Sequence, residues 1–242
     1  LEKTLRVDGV LTNELVAAAL LIGTPFFVIF GWLSDKIGRK PIILLGCLLA
    51  ALTYFPIFKA LTVAANPALA AATSSAPVTV VANPADCSFQ FDPVGKKSFA
   101  SSCDIAKSAL AGAGVSYANR AAPAGTTAQV LVGDAVVAGL EGRALDKKAL
   151  TAAKTAWTKS LTKVLSDHGY PAKADPAKID KVKVVGLLFL LVLYVTMVYG
   201  PVAAALVEMF PAKIRYTSMS LPYHVGNGWF GGFLPTTAFA MV

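Results

Sequence analysis

Charged residues are scarce in this chain of 242 residues, and they are absent from several long stretches. Asp, Glu, Lys and Arg make up 15% of the sequence, against 55% hydrophobic residues, which is too little charge for the surface of an ordinary soluble domain. Three of these stretches are residues 15–34, 41–58 and 184–207. Each is close to the roughly 20 apolar residues with which a helix crosses about 30 Å of hydrocarbon. The shortage of charge therefore predicts a membrane protein.

The residue sets of common soluble enzymes are also missing. The two His are His168 and His224, and Cys occurs three times. No Gly-rich stretch leads into a Lys-Ser/Thr phosphate cradle, and no Cys-His or Ser-His-Asp set falls outside the apolar stretches. Lys and Arg exceed Asp and Glu by 22 to 14 but lack interleaved aromatic residues. We therefore expect no enzyme, no nucleic-acid binding, no cofactor and no metal site.

Four membrane-spanning helices are predicted, over about residues 15–33, 42–61, 184–207 and 216–242. Asn13 or Glu14 is a plausible start for the first helix, and Gly23-Thr24-Pro25 predicts a break inside it. The domain prediction is 1–61 for the first two spans with their loop, 62–183 for an insertion, and 184–242 for the last two spans. Because Leu1 is not an initiator and the tail is apolar, we expect a fragment of a longer chain.

Residues 62–183 are polar, with nine acidic and fourteen basic residues and no run long enough to span a bilayer. The runs 129–132 and 135–137 flank Gly133-Asp134, which predicts a hairpin. Asp146 is suited to cap a helix that continues to about Asp167 and ends at Gly169. The insertion is therefore predicted to be a small α/β domain.

The two short loops between spans are predicted to face the cytoplasm. They carry Lys36, Arg39 and Lys40 in one loop and Lys213 and Arg215 in the other, and cytoplasmic loops are enriched in Lys and Arg. Lys178, Lys181 and Lys183 beside the third span weigh against this orientation. The insertion then lies outside the cytoplasm, where its two cysteines, Cys87 and Cys103, are expected to form a disulfide. Two unrelated free thiols are the alternative.

Two motifs resemble a known family. The first, Gly-Trp-Leu-Ser-Asp-Lys-Ile-Gly-Arg-Lys-Pro over residues 31–41, resembles the signature loop of the major facilitator superfamily. The second, over residues 208–232, is similar to the tenth-to-eleventh helix region of the metabolite-proton symporter branch, some members of which carry a large extracytoplasmic insertion before the tenth helix. The resemblance implies an all-α polytopic membrane protein, covering about helices 8 to 11 of that fold, with an inserted extracytoplasmic α/β domain.

The function implied by this resemblance is proton-coupled symport of a small organic solute, such as a carboxylate or a betaine, by alternating access. Its partners would be the solute, protons, the lipid bilayer and the remaining transmembrane helices of the same chain. The implied location is the bacterial inner membrane, with the insertion in the periplasm. A different interpretation is a membrane-anchored extracytoplasmic binding or sensor module, in which the spans only hold the insertion.

Carried over by position, the motifs predict a cytoplasmic gate. Its residues are Gly31, Asp35, Lys36, Gly38, Arg39, Lys40, Glu208 and Arg215. Asp35 is expected near Thr217 at the start of the fourth span, and Gly31 is expected where helices approach closely. Arg39 and Lys40 are expected to contact Glu208 and Arg215 in the outward-open state. Alternatively, the cations only fix the topology.

His224 is the one ionisable side chain in the apolar tail, and ionisable groups in membranes are often functional. The candidates for a substrate or proton path are His224, Tyr223, Asn227, Tyr194 and Tyr199. An interfacial histidine bonded to Tyr223 or Asn227 is the alternative for His224. Packing is the alternative for the tyrosines. The glycines at 226, 228, 231 and 232 are expected to permit close helix packing.

Overall fold

The chain is mainly helical and divides into two compact units. The computed structural model describes residues 1–88, 99–234 and 237. Its helices are α1 (Glu2–Leu5), α2 (Gly9–Gly23), α3 (Pro25–Ile37), α4 (Arg39–Ala65), α5 (Pro67–Ser75), α6 (Ser102–Gly112), α7 (Lys147–Asp167), α8 (Lys181–Met209) and α9 (Arg215–His224). Its strands are β1 (Val78–Ala82), β2 (Tyr117–Ala121), β3 (Gln129–Val132) and β4 (Ala135–Ala138). We call Val7–Ala65 with Asp175–Gly232 the helical unit. The sheet unit has Leu1–Arg6 and Asn66–Ala174 as its main segments.

The helical unit contains three stretches of helix that are long and apolar enough to span a membrane. They are Gly9–Ile37, Arg39–Ala65 and Lys181–Met209, with mean hydropathies of 2.1, 2.1 and 2.3. Together with the small four-stranded sheet, they confirm the predicted combination of several apolar spans and an α/β insertion. The length and composition of the helices fit a multi-pass membrane protein.

The first apolar helix begins earlier than the sequence predicts. The Asp8 carboxylate accepts hydrogen bonds from the backbone N–H groups of Val10 and Leu11, at 2.9 and 3.4 Å. This N-cap satisfies N–H groups that have no partner inside the helix, so the helix starts at Gly9. The predicted start at Asn13 or Glu14 is therefore wrong.

The predicted break in this helix lies between α2 and α3. Pro25 has no N–H to donate to the preceding turn, and α2 ends at Gly23. The Thr24 hydroxyl donates to the Leu20 carbonyl at 2.7 Å. The break at Gly23-Thr24-Pro25 is thus confirmed.

Helix α8 is the central element of the helical unit, because it packs against α2, α3 and α4. A buried cluster joins Ile42 and Ile57 of α4 to Tyr194 and Met197 of α8. Arg39 bonds to Glu208 near one end of this helix pair, and Asp180 donates its N–H to the Ala64 carbonyl near the other. These two contacts show that α4 and α8 run antiparallel.

Small residues let the backbones of these helices come close together. A Cβ atom added to Gly23 would lie 2.4 Å from the Val192 Cγ1 atom, and one added to Gly46 would lie 3.0 Å from the Met197 Cβ atom. Helices surrounded by lipid gain little from hiding apolar surface, so they associate through close van der Waals packing at such residues. The missing side chains therefore set the spacing of α8 from α2 and α4.

Gly23→Ala is predicted to destabilise the helical unit by about 1–3 kcal/mol, which is typical of an overpacked site. Val192→Ala in the same chain should restore most of the loss, because it removes the methyl groups that the new side chain meets. Thermal unfolding in detergent measures both effects. Gly186→Ala on α8 is the control, since a Cβ there would meet nothing within 4 Å. Equal effects of the two glycine variants would contradict the packing argument.

The predicted fourth span lies partly outside the described residues. Helix α9 continues into a π-helical turn over Val225–Gly231, whereas residues 235, 236 and 238–242 are not described. The span therefore stays a prediction. Within the described residues, Cβ atoms added to Gly226, Gly228 or Gly232 would meet nothing within 4 Å, and one added to Gly231 would meet only the nearby Gly226 carbonyl. The expected close helix packing at these glycines is not observed.

The sheet unit is built on four strands in the order β2-β1-β3-β4. Strand β1 runs parallel to β2 and antiparallel to β3, and β3 and β4 form a hairpin. That hairpin turns at Gly133-Asp134, as predicted. Helix α7 is capped by the Asp146 carboxylate, which accepts from the Ala149 N–H at 2.7 Å. The predicted hairpin and helix are both confirmed.

Residues at the start of the chain belong to the sheet unit. The Arg6 guanidinium donates to the carbonyls of Ala113 and Pro171, and the Arg6 carbonyl accepts from the Ala174 N–H. The buried Asn66 amide donates to the Leu5 carbonyl at 3.0 Å. The predicted division placed residues 1–61 together. The structure separates the first six because their backbone groups are satisfied within the sheet unit.

Two adjacent cross-links tie the segment after β1 to the start of α6. A disulfide joins Cys87 to Cys103. At the next positions, the N–H and hydroxyl of Ser88 donate to the Asp104 carboxylate at 2.7 and 2.6 Å. Cys103 and Asp104 are buried, so these links hold α6 in the core of the sheet unit.

Cys87 and Cys103 are predicted to resist an impermeant thiol reagent until a reductant is added. After reduction Cys87 should react first, because Cys103 is fully buried. Replacing both cysteines by Ser should destabilise the sheet unit by about 3 kcal/mol, since the bond closes a loop with a sequence separation of 16. Labelling followed by peptide mass spectrometry measures the order. Rapid labelling of either position without reductant would refute the bridge.

Candidate functional site: the Arg39 cluster

The tip between α3 and α4 is a single residue, Gly38. Its φ of 94° and ψ of 154° lie in a region that is essentially restricted to glycine. The Gly38 N–H donates to the Ser34 carbonyl at 3.0 Å, which closes the end of α3. The first residue of α4, Arg39, is thereby placed beside the last turn of α3.

The Arg39 guanidinium connects the ends of three helices. It donates to the Ser34 hydroxyl at 2.7 Å and to the Asp35 carboxylate, both on α3. It also donates to the Glu208 carboxylate on α8, at 2.9 Å from Nη2 and 3.2 Å from Nε. A guanidinium presents several donors in a fixed plane and can serve separate acceptors at once. We call these four residues the Arg39 cluster.

The two carboxylates of the cluster remain in contact with solvent. The Asp35 and Glu208 side chains are 61% and 57% exposed, whereas that of Arg39 is 20% exposed. Exposed ion pairs exchange readily for hydrated ions because water compensates both charges. The cluster can therefore hold α8 to the α3–α4 tip and also release it.

The remaining charged residues of the predicted gate lie outside the Arg39 cluster. The Lys36 ammonium lies 4.0 Å from the centre of the Trp32 ring, which is a cation–π contact. Arg215 donates from Nε to the Phe210 carbonyl at 3.1 Å. Lys40 is exposed and forms no ion pair in the described part of the chain. The expected contacts of Lys40 and Arg215 with the cluster are not observed, and the position of Asp35 near Thr217 stays a prediction.

Gly31 itself has room for a side chain, and its predicted role in close helix approach stays a prediction. A Cβ atom added there would meet nothing within 4 Å. The close approach occurs instead at Gly200 on α8, where an added Cβ would lie 3.1 Å from the Phe27 carbonyl oxygen and 3.4 Å from the Gly31 nitrogen. It is the backbone of Gly31 that lies in the contact, and its carbonyl accepts from the Ser34 hydroxyl at 2.6 Å.

Ser34 and Trp32 are the residues of this site that the sequence interpretation did not single out. Ser34 is 1% exposed and both accepts from Arg39 and donates to the preceding turn. A hydroxyl residue directly before an Asp-x-x-x-Arg pair was the available signal for Ser34. The spacing of four residues between Trp32 and Lys36 was the signal for the cation–π pair.

The candidates for a substrate or proton path do not form one site in the described residues. Tyr194 is buried in the cluster between α4 and α8, and its hydroxyl accepts from the Thr53 hydroxyl at 3.1 Å. Tyr199 is 57% exposed. His224, Tyr223 and Asn227 are exposed, and the Tyr223 and His224 rings lie 5.8 Å apart. The burial of Tyr194 agrees with the alternative interpretation, in which this tyrosine packs between helices and does not line a path.

Gly38→Ala is predicted to destabilise the α3–α4 tip by about 1–3 kcal/mol, because alanine is strained at this φ and ψ. Gly31→Ala is the matched control, since it adds a Cβ into open space on a helix and should be neutral or stabilising by up to about 1 kcal/mol. Unfolding in detergent measures both variants. A larger loss for Gly31→Ala than for Gly38→Ala would contradict this assignment of the two glycines.

Comparison with protein-family models, with curated proteins and with solved structures finds no match to this chain.

Proposed function

We propose that this chain is part of a secondary active transporter of the major facilitator superfamily, a proton-coupled symporter of a small organic solute. The observation that carries the proposal is the Arg39 cluster, in which one guanidinium joins α8 to the tip between α3 and α4. The motif resemblance at residues 31–41 supports it. The remaining transmembrane helices of the same chain would complete the transport path.

Alternating access requires a contact at one membrane face that forms in one state and breaks in another. Arg39 and Glu208 suit this role because they lie on different helices and are 169 residues apart in sequence. When α8 moves away from the tip, Arg39 can keep its bonds to Ser34 and Asp35 while water replaces it at Glu208. In this proposal Arg39 and Glu208 form the gate, and Asp35 and Ser34 position the guanidinium.

The broken and closely packed helices also favour transport. The Gly23-Thr24-Pro25 break in the first span resembles the interrupted helices with which transporters build sites and move, whereas α8 is continuous through its proline, Pro201. A simple anchor needs no such interruptions. The proposed location is the bacterial inner membrane with the sheet unit in the periplasm, where its disulfide would persist.

The sheet unit supports a second candidate function, a membrane-anchored binding or sensor module. It has its own buried core, which includes Val80 and Val130 on neighbouring strands and Leu110 of α6. A domain with its own core can bind a ligand while the helices only hold it at the membrane. In that case the Arg39 cluster would be dispensable for function.

Uptake by the full-length protein tests the proposal. The protein is reconstituted in vesicles with an imposed proton gradient, and the vesicles are supplied with radiolabelled carboxylates and betaines. Asp35→Asn should abolish uptake while insertion stays intact, because Arg39 loses the charge that positions it for Glu208. Lys59→Gln, at the far end of α4 and exposed, is the control. Unaltered uptake by Asp35→Asn would count against the gate.

A charge exchange separates a gate from a structural contact. Arg39→Glu should lower uptake by at least about tenfold, because it places three carboxylates together without a cation. A tenfold loss in rate corresponds to a rise of about 1.4 kcal/mol in the activation free energy of transport. Combining it with Glu208→Arg should recover part of the uptake, since the pair between α4 and α8 is restored in reverse. If the unmodified protein takes up none of these solutes but its sheet unit binds a ligand, the sensor module is favoured.

A further inference from the structure

The charges at the ends of α3, α4 and α8 do not balance. The one guanidinium of Arg39 is shared between two carboxylates, those of Asp35 and Glu208. Lys36, Lys40 and Lys213 are exposed, and none of them forms an ion pair within the described ranges of the helical unit. We call these three lysines the basic surface. Its three positive charges outweigh the single negative charge that Arg39 leaves uncompensated.

Exposed apolar side chains lie close in the sequence to the lysines of the basic surface. Trp32 is 56% exposed, Ile37 is 56% exposed and Ile214 is 54% exposed. Lys36 lies over the Trp32 ring at 4.0 Å, so an amphipathic aromatic residue and an ammonium group share one location. This combination is typical of helix ends at a membrane–water interface, where the ring contacts the acyl boundary and the charge remains among the headgroups.

We propose that the basic surface binds the phosphodiester headgroups of anionic phospholipids in the adjoining leaflet. The occupant follows from the chemistry of the surface. Ammonium groups attract phosphate as point charges, and the neighbouring apolar side chains need a hydrocarbon phase rather than water. The helices that carry Lys36 and Lys40 are those with the length and apolar composition to span a bilayer. The proposal depends on membrane insertion and not on transport.

The same geometry assigns different roles to neighbouring cations. Arg39 points its donors at carboxylates of its own chain, whereas Lys40, the next residue, forms no ion pair among the described residues. Lys36 uses the face of an aromatic ring, which leaves its ammonium protons free to contact an anion. The lysines thus hold lipid around the Arg39 cluster without competing for Asp35 or Glu208.

Fluorescence quenching of Trp32 tests this proposal on the whole chain. Trp157→Phe and Trp229→Phe leave Trp32 as the reporter, since the chain has three Trp. The protein is placed in phosphatidylcholine vesicles that contain either brominated phosphatidylglycerol or brominated phosphatidylcholine. We expect phosphatidylglycerol to be enriched about fivefold near Trp32 at low salt, the effect of about one lysine within reach of an anionic surface. Raising the salt should reduce the enrichment.

Matched lysine variants distinguish lipid binding by the basic surface from a general attraction of anionic lipid to the positively charged protein. Lys36→Gln with Lys40→Gln and Lys213→Gln should bring the enrichment close to one. Lys59→Gln with Lys183→Gln, two exposed lysines of α4 and α8 outside the basic surface, should leave it unchanged. Equal quenching by the two brominated lipids in the reporter protein would overturn the proposal, and so would equal effects of the two variant sets.

A second measurement uses the protein with all its tryptophans and therefore does not depend on the reporter variants. Native mass spectrometry of the protein released from mixed-lipid nanodiscs should show more retained phosphatidylglycerol than phosphatidylcholine, and the lysine variant should lose this preference. Inorganic phosphate, added at constant ionic strength, should leave the retained lipid unchanged. Displacement of the lipid by phosphate would indicate a site for free anions and overturn the proposal.

Discussion

Close packing of α8 against its neighbours is the constraint on which the helical unit depends. Lipid gives helices no hydrophobic reason to associate, so the spacing is set where side chains are missing, at Gly23, Gly46 and Gly200. The end of α8 can bring Glu208 to Arg39 only because the helix lies this close. The charged contact at the membrane end therefore rests on the apolar contact within the bundle.

The Arg39 cluster and the basic surface divide the cations of this region by chemistry. Arg39 has a planar fork of donors and joins three helix ends, with Ser34 buried beneath it and the two carboxylates open to water. The lysines are flexible point charges and remain available for lipid phosphate. One set suits a contact that opens and closes, and the other suits attachment to the headgroup layer. The gate that we propose would need both properties.

The sheet unit is stabilised by other means, as expected for a domain in water. Its core is apolar, and its long-range links include a disulfide, a buried carboxylate and the carbonyl contacts of Arg6. Near the end of α7, hydrogen bonds to the Val164 carbonyl and to Asp134 raise the pKa of His168. The protonated form of His168 therefore contributes stability at acidic pH, and this contribution is lost as the pH rises through the raised pKa. The first six residues complete this unit rather than the first helix.

Local features of the sequence determined much of this fold. Runs that are both uncharged and strongly apolar indicated the three spans, Pro25 indicated the break, Gly133-Asp134 the hairpin and Asp146 the start of α7, because each depends on residues adjacent in the chain. Only the tertiary structure decided which of the expected contacts forms, that of Arg39 with Glu208 but none of Lys40 or Arg215 with the cluster, and that Gly200 rather than Gly31 lacks room for a side chain. These outcomes depend on how each helix is rotated and which helix it packs against. Neither is encoded in the spacing of residues along one segment.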